Sequence, residues 1–103
     1  MAREPRRLLE LDRTIHEPAR LAIVSILSVL DQADFLFLQR ETGLTRGNLN
    51  AHMTRLEQAG YVEVEKTYRG KIPQTIYRLS DAGRSAFAAY RRQLREAMSE
   101  ADG

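Results

Sequence analysis

The chain has 103 residues, 43% of them hydrophobic, and a formal net charge of only +2, which allows one compact core and makes global charge weak evidence about partners. It contains no cysteine, so disulfide bonds, thiolate zinc sites and thiol-based redox sensing are excluded. Residues 21–30, the longest apolar run, fall well short of the roughly 20 residues that cross a bilayer, and the N-terminus has no signal-peptide pattern. We therefore expect a single cytoplasmic domain, residues 1–103, without a metal or another cofactor.

The first part of the chain has helical periodicity. Leu8, Leu11 and Ile15 recur at steps of three and four residues and predict an amphipathic helix over about residues 6–16. A second helix is predicted from Pro18, which suits a first helical turn, to about residue 30. It is apolar around most of its circumference, so we expect it at the centre of the fold.

Two further helices are separated by a very short turn. Asp34 can cap a helix over residues 35–42, and Gly43 can end it because glycine tolerates the left-handed conformation. Thr45 can cap the next helix, which is predicted to run to Gln58. This spacing indicates a helix-turn-helix rather than a coiled coil or a bundle loop.

After these helices the periodicity changes from helical to alternating. Val62 and Val64 alternate with glutamates, and a second alternating run, residues 74–79, is predicted to return antiparallel to the first. Residues 69–73 form the loop between the two strands. Ser80 can then cap a last helix that extends to about residue 99.

The helix after Thr45 has two contrasting faces. Leu49, Met53 and Leu56 fall in one narrow sector that packs on the core, whereas the opposite sector holds small or hydrogen-bonding residues and no carboxylate. Asn and Arg side chains can pair with base edges in a DNA major groove. An ordinary solvated face is the alternative, and this helix alone does not decide between them. The candidate DNA-binding residues on the helix are Thr45, Arg46, Asn48, Asn50, His52, Thr54 and Arg55.

One of these candidates, His52, has two open interpretations because it lies near the edge of the face: it contacts a backbone phosphate or it packs against the edge of the core. The loop between the strands supplies two more candidates. Arg69 and Lys71 stand where cations at a hairpin tip can reach phosphates or a minor groove. A solvated hairpin tip is the alternative for both.

The run from Leu44 to Arg84 resembles the MarR/ArsR-type winged-helix transcriptional regulators of bacteria and archaea. The resemblance rests on residues 56–61, Leu-Glu-Gln-Ala-Gly-Tyr, and on residues 79–84, Leu-Ser-Asp-Ala-Gly-Arg. It implies an α+β, mainly α fold: a winged helix-turn-helix with a two-stranded wing, a core over residues 18–80, and flanking dimerisation helices at about 6–16 and 81–99. It also implies a homodimer that binds a palindromic double-stranded DNA operator, with repression as the expected outcome.

An apolar stripe on the last helix bears on the dimer. Covering it with the apolar face of a partner's first helix is one solution, and packing on the chain's own core is the other. The candidate dimer-interface residues are Leu8, Leu11, Ile15, Phe87, Tyr90, Leu94 and Met98.

Two other functional classes are an enzyme and a protein-interaction module. The sequence has no glycine-rich phosphate loop, no metal-ligand spacing and no nucleophile-elbow motif, so an enzyme is not expected. A winged-helix protein-interaction module without sequence-specific DNA binding is the alternative to a regulator, and the acid-free face argues against it. The sequence leaves open the operator, the regulated genes and the existence of a small-molecule effector.

Overall fold

The computed structural model describes residues 6–102, in which helices surround a small antiparallel sheet. The elements are α1 Arg6–Leu9, α2 Pro18–Val29, β1 Ala33–Asp34, α3 Phe35–Thr42, α4 Arg46–Gln58, β2 Val62–Arg69, β3 Ile72–Leu79 and α5 Asp81–Asp102. The mainly helical α+β fold is confirmed, with α3 and α4 as the helix-turn-helix and β2 and β3 as the wing. Within the described residues, no helix has both the length and the apolar character that crossing a membrane requires.

The helix predicted over residues 6–16 is wrong beyond Leu9, where α1 ends. The reason is Asp12, whose carboxylate accepts hydrogen bonds from the backbone amides of Thr14 at 2.9 Å and Ile15 at 3.3 Å. A short acidic side chain that binds nearby amides offers the backbone an alternative to helical hydrogen bonding. The segment between α1 and α2 therefore turns instead of continuing the helix.

The turn brings apolar side chains into the chain's own core. Leu11 and Ile15 are 3% and 0% exposed, and they share one cluster with Phe87 and Tyr90 of α5 at 8% and 2%. This corrects the assignment of these four residues to a dimer interface, because side chains already covered within the chain offer a partner almost no surface. The assignment of Leu8, Leu94 and Met98 stays a prediction.

The helix caps follow the sequence closely. The Asp34 carboxylate accepts from the Phe37 amide at 2.7 Å at the start of α3, and Gly43 ends that helix at φ 70°. The Thr45 hydroxyl accepts from the Asn48 amide at 3.1 Å. Both predicted boundaries of the helix-turn-helix are thus confirmed with the hydrogen bonds that fix them.

The sheet has one strand more than the predicted two-stranded wing. Its order is β1-β3-β2, and β1 pairs antiparallel with β3 through Ala33 opposite Tyr77. Two residues are too few to show a period in sequence, so β1 becomes visible only when β3 lies beside it. The added pairing ties the base of the wing to the start of α3.

Asp34 makes the stability of this junction depend on pH. Hydrogen bonds from the Phe37 amide and the Gln74 side chain hold the pKa of Asp34 below its ordinary value. A carboxyl with a lowered folded pKa contributes stability above its unfolded pKa, and that contribution is lost as the pH falls through the folded pKa.

We predict that Asp34→Ala lowers the free energy of unfolding by about 1 kcal/mol at neutral pH, because the α3 cap is lost. Urea denaturation should show this difference shrinking from pH 7 toward about pH 2, as the wild-type carboxyl is protonated. Asp34→Asn is the matched control, since asparagine caps as well and does not titrate. A difference between wild type and Asp34→Ala that is constant over this pH range would contradict the prediction.

Candidate nucleic-acid interface

The two faces of α4 are as the sequence predicts. Leu49, Met53 and Leu56 are buried at 0%, 2% and 0% exposure. The opposite side is open to solvent and contains no carboxylate; it holds Gly47, Asn48, Asn50, Ala51, Thr54, Arg55 and Gln58. The helix is therefore anchored by its apolar face and presents hydrogen-bonding groups outward.

A groove of about 450 Å³ separates α4 from the wing. Its α4 wall carries Asn50 and Thr54, and Arg46 lies at the end formed by α3, with its guanidinium 5.3 Å from the centre of the Phe35 ring. That distance is within the range of a cation–π contact. Hydrogen-bond donors thus line one side of a concavity that continues the exposed face of α4.

The groove also contains carboxylates, which limits how an anion can enter it. Glu57, which lies on the side of α4 between its two faces, lines the groove. Burial, together with the charge of Glu57, raises the pKa of the Tyr77 hydroxyl above its ordinary value. Asp34 lies at the other end, where its oxygens are occupied by Phe37 and Gln74. The groove is therefore lined by charges of both signs, with Glu57 and Asp34 beside Arg46 and Lys66.

The wing ends in a tight two-residue turn. Arg69 is the last residue of β2 and pairs with Ile72, the first of β3. The turn between them is Gly70-Lys71, in which Gly70 has φ 65°, as a glycine at the first central position of a hairpin turn requires. The predicted loop over residues 69–73 is thus shorter in the structure, and Arg69 and Lys71 are both exposed at its tip.

Strand alternation places Arg69 on a different side of the wing from the groove. Lys66 lines the groove, and Tyr68 shares its side of β2, whereas Arg69 points to the opposite side together with its neighbour across the turn. Sequence reasoning missed Lys66 and Tyr68, the latter 70% exposed. The alternation from Val64 could have found them, since it continues to both residues.

His52 faces the fold and not the open side of α4. Its side chain is 24% exposed, and its Nδ1 lies 3.1 Å from Nη1 of Arg20 and 3.3 Å from Oε2 of Glu17. Of the two interpretations left open by the sequence, the structure has the histidine packed at the edge of the core. Its Nδ1 is engaged by residues at the start of α2, while contact of His52 with a DNA phosphate stays a prediction.

Glu17 and Arg20 complete this contact. Burial raises the pKa of the Glu17 carboxyl, but the Ala19 amide, the neighbouring His52 and Arg20 together hold it below its ordinary value. Glu17 also caps α2, accepting from the Ala19 amide at 2.6 Å. The side chains of Glu17, Arg20 and His52 therefore join α4 to the first turn of α2.

The arrangement of elements and the exposed face define a winged helix-turn-helix protein. Residues 19–98 match the family described as Winged helix DNA-binding domain, and the chain belongs to this family. An uncharacterised protein of Methanocaldococcus jannaschii is 36% identical over 72 residues, which cover 69% of this chain and 77% of the relative.

Solved structures share the fold. A transcriptional regulator homologue from Pyrococcus horikoshii superimposes with a TM-score of 0.87 at 27% identity, covering 94% of this chain and 98% of that one. A MarR-family transcriptional regulator from Enterococcus faecalis gives a TM-score of 0.73 at 21% identity, covering 86% and 80% of the two chains. The resemblance to MarR-type winged-helix regulators seen in the sequence is thereby confirmed at the level of the fold.

Proposed function

We propose that this protein is a cytoplasmic, sequence-specific DNA-binding regulator that acts as a homodimer on a palindromic operator and represses transcription. The observation that carries the proposal is the exposed face of α4, which has no carboxylate and stands beside a wing with cations at its tip. Such a face adds no negative charge of its own opposite the phosphates.

The distribution of side chains on α4 fits a major groove. Gly47 and Ala51 lie near the middle of the exposed face, where small residues let the helix backbone come close to the base edges. Asn50 lies on the flank toward the wing, while Asn48 and Arg55 lie on the other flank. Side chains that can hydrogen-bond to adenine and guanine edges therefore lie on both sides of these small residues.

The second chain is assigned to the end of the fold formed by α1 and α5. These helices are joined by an ion pair between Arg7 and Glu96 at 3.5 Å, and apolar side chains remain uncovered there. Leu8, Leu9 and Met98 are 38%, 70% and 48% exposed. A symmetric partner on this surface would fix two copies of α4 at a spacing near one turn of DNA, about 34 Å.

We predict that Leu9→Glu combined with Met98→Glu converts the dimer to a monomer, because each charge would be buried at the interface. Light scattering should report the mass of one chain instead of two. Val29→Glu on α2 is the matched control, since Val29 is an apolar side chain that is 82% exposed. If only the Val29 variant dissociates, the interface lies on α2 and our assignment is wrong.

The proposal as a whole is tested by titrating the protein with random duplex DNA at rising salt. We expect binding at low salt that weakens steeply as salt rises, because each neutralised phosphate releases counterions. Selection of bound sequences from a random duplex pool should then give a palindromic site. Binding that is absent at low salt, or that does not respond to salt, would reject DNA as the partner.

Individual base-reading residues are tested on the selected site. We predict that alanine at Asn48, Asn50 or Arg55 costs about 1 to 3 kcal/mol of binding free energy on this site and little on random DNA. Gln93→Ala, an exposed amide on α5, is the control and should change neither affinity. Equal losses on both DNAs would identify the three residues as phosphate contacts.

One observation favours the alternative, a winged-helix module that binds a protein. Leu36 lines the groove beside α4 and is 63% exposed. An apolar side chain of a bound peptide could pack against it there. The salt titration separates the two functions, since docking at Leu36 depends on apolar contact and responds weakly to salt.

A further inference from the structure

Arg20 is a charged side chain in a place where the fold otherwise buries apolar groups. It is 9% exposed, while Ile23, Val24 and Leu27 of the same helix are at 1% or less. Its guanidinium has defined partners: Nε donates to the Thr14 carbonyl at 2.6 Å, and Nη2 donates to the Arg13 carbonyl at 3.5 Å. Nη1 lies 3.1 Å from Nδ1 of His52 and 3.5 Å from Oε2 of Glu17. A buried guanidinium is retained only where its donors are satisfied, and one of these acceptors belongs to α4.

The Nδ1 atom of His52 has two neighbours that require opposite protonation states. To accept from Nη1 of Arg20 the nitrogen must carry no proton, with the ring proton on Nε2, whereas donation to Oε2 of Glu17, at 3.3 Å, requires a proton on Nδ1. The two contacts cannot be hydrogen bonds at the same time. We assign the neutral ring the tautomer protonated at Nε2, which accepts at Nδ1 from Arg20. The doubly protonated ring can only donate at Nδ1, and its acceptor is Glu17.

We propose that Arg20 is a positioning residue for DNA recognition: it fixes the orientation of α4 through His52, and protonation of His52 releases that bond. The proposal rests on the function proposed above. His52 lies one helical turn from Asn48 and three residues from Arg55, so a change in its packing is passed to both side chains. Base contacts fail when a side chain is displaced by a fraction of an ångström, whereas phosphate contacts made by long side chains adapt. Loss of the bond therefore lowers discrimination between operator and random DNA more than it lowers affinity for DNA in general.

The surroundings of His52 set the direction of the pH response. Among the described side chains, Glu17 and Arg20 are the charged groups within hydrogen-bond or ion-pair distance of its ring. Acidification places a second cation beside the Arg20 guanidinium and gives Nδ1 a proton to donate to Glu17. Both changes weaken the contact between Arg20 and His52, so discrimination falls as the pH falls.

The test compares the ratio of affinities for the selected operator and random DNA at about pH 8 and about pH 5.5. In wild-type protein we expect the ratio of operator affinity to random-DNA affinity to be about tenfold lower at pH 5.5 than at pH 8. A tenfold change corresponds to the loss of roughly one hydrogen bond to a charged group. His52→Asn keeps an acceptor oxygen near the position of Nδ1 and does not titrate, so its ratio should stay high at both pH values. His52→Leu removes the acceptor and should give a low ratio at both.

A second histidine provides the matched control. The Nδ1 of His16 is 2.7 Å from the Tyr90 hydroxyl, a contact with α5 instead of α4, so His16→Asn should keep the wild-type pH response. Thermal unfolding of each variant at pH 8 separates a loss of folding from a loss of discrimination. If His52→Leu is folded and discriminates as well as wild type, the proposal is overturned.

An NMR readout without DNA distinguishes failure of this proposal from failure of the proposed function. With histidine ¹⁵N-labelled, Nδ1 of His52 should be unprotonated at pH 8, and the backbone amides of α4 should shift as the ring titrates in wild type but not in His52→Asn. Amides of α4 that do not respond to this titration would overturn the positioning role. Wild-type protein that fails to bind DNA at all, yet shows the amide shifts, would instead reject the proposed function.

Discussion

Gly83→Ala is expected to lower the free energy of unfolding by about 3 kcal/mol, near the upper end of what overpacking costs. A Cβ atom at this position would lie 2.1 Å from the carbonyl oxygen of Tyr61 and 2.9 Å from its carbon. Those are backbone atoms, and the same oxygen accepts a hydrogen bond from the Ser80 amide at 3.0 Å. Neither α5 nor the start of the wing can move away without breaking the junction between them. Urea denaturation followed by circular dichroism measures the effect.

The matched control is Gly47→Ala on α4. A Cβ there meets no atom within 4 Å, and alanine is favoured over glycine inside a helix by about 0.8 to 1 kcal/mol. Gly47→Ala should therefore raise the free energy of unfolding slightly, while Gly83→Ala lowers it strongly. Equal effects at the two glycines would show that the close approach to Tyr61 relaxes at little cost.

Arg69→Ala combined with Lys71→Ala is expected to flatten the dependence of DNA affinity on salt by roughly two units of slope. The reason is that each phosphate contact contributes about 0.9 to the slope on duplex DNA. The affinity loss should be similar for the operator and for random DNA, because phosphates carry no sequence information. Affinities over a series of salt concentrations, fitted as the logarithm of the association constant, give the slope.

Arg92→Ala with Arg95→Ala removes the same charge from exposed positions on α5 and should leave the slope unchanged. The geometry of the wing adds a sharper comparison between single variants. Lys66 lines the groove beside α4, whereas Arg69 lies on the other side of β2. If Lys66→Ala flattens the slope and Arg69→Ala does not, DNA passes along the groove side and the assignment of Arg69 fails.

Local chemistry made much of the helix-turn-helix predictable. Asp34 and Thr45 bind free amides at the starts of α3 and α4, and Gly43 adopts the conformation that ends α3. These interactions join residues three or four positions apart in sequence, so they can be predicted without knowing the rest of the fold. The buried sector of α4 was predictable for the same reason, because Leu49 and Met53 are one helical turn apart.

Other features depended on residues that are distant in sequence. The spacing of Leu8, Leu11 and Ile15 is that of a helix. The hydrogen bonds of Asp12 turn the chain instead, and Leu11 and Ile15 are buried in the core. Strand β1 exists because β3 lies beside it. Periodicity shows which residues are apolar together; it does not show what covers them, and this is why a stripe interpreted as a dimer surface is largely packed within one chain.

The sequence by itself determined that α4 is a capped helix with one apolar and one acid-free face, because both properties arise from neighbours on the same helix. The tertiary structure decided which neighbours surround the residues that lie between two faces of an element. Nδ1 of His52 contacts Arg20 because α2 packs against α4 there. Lys66 came to line the groove because β2 lies opposite α4. In both cases the deciding interaction links residues on separate elements of the chain.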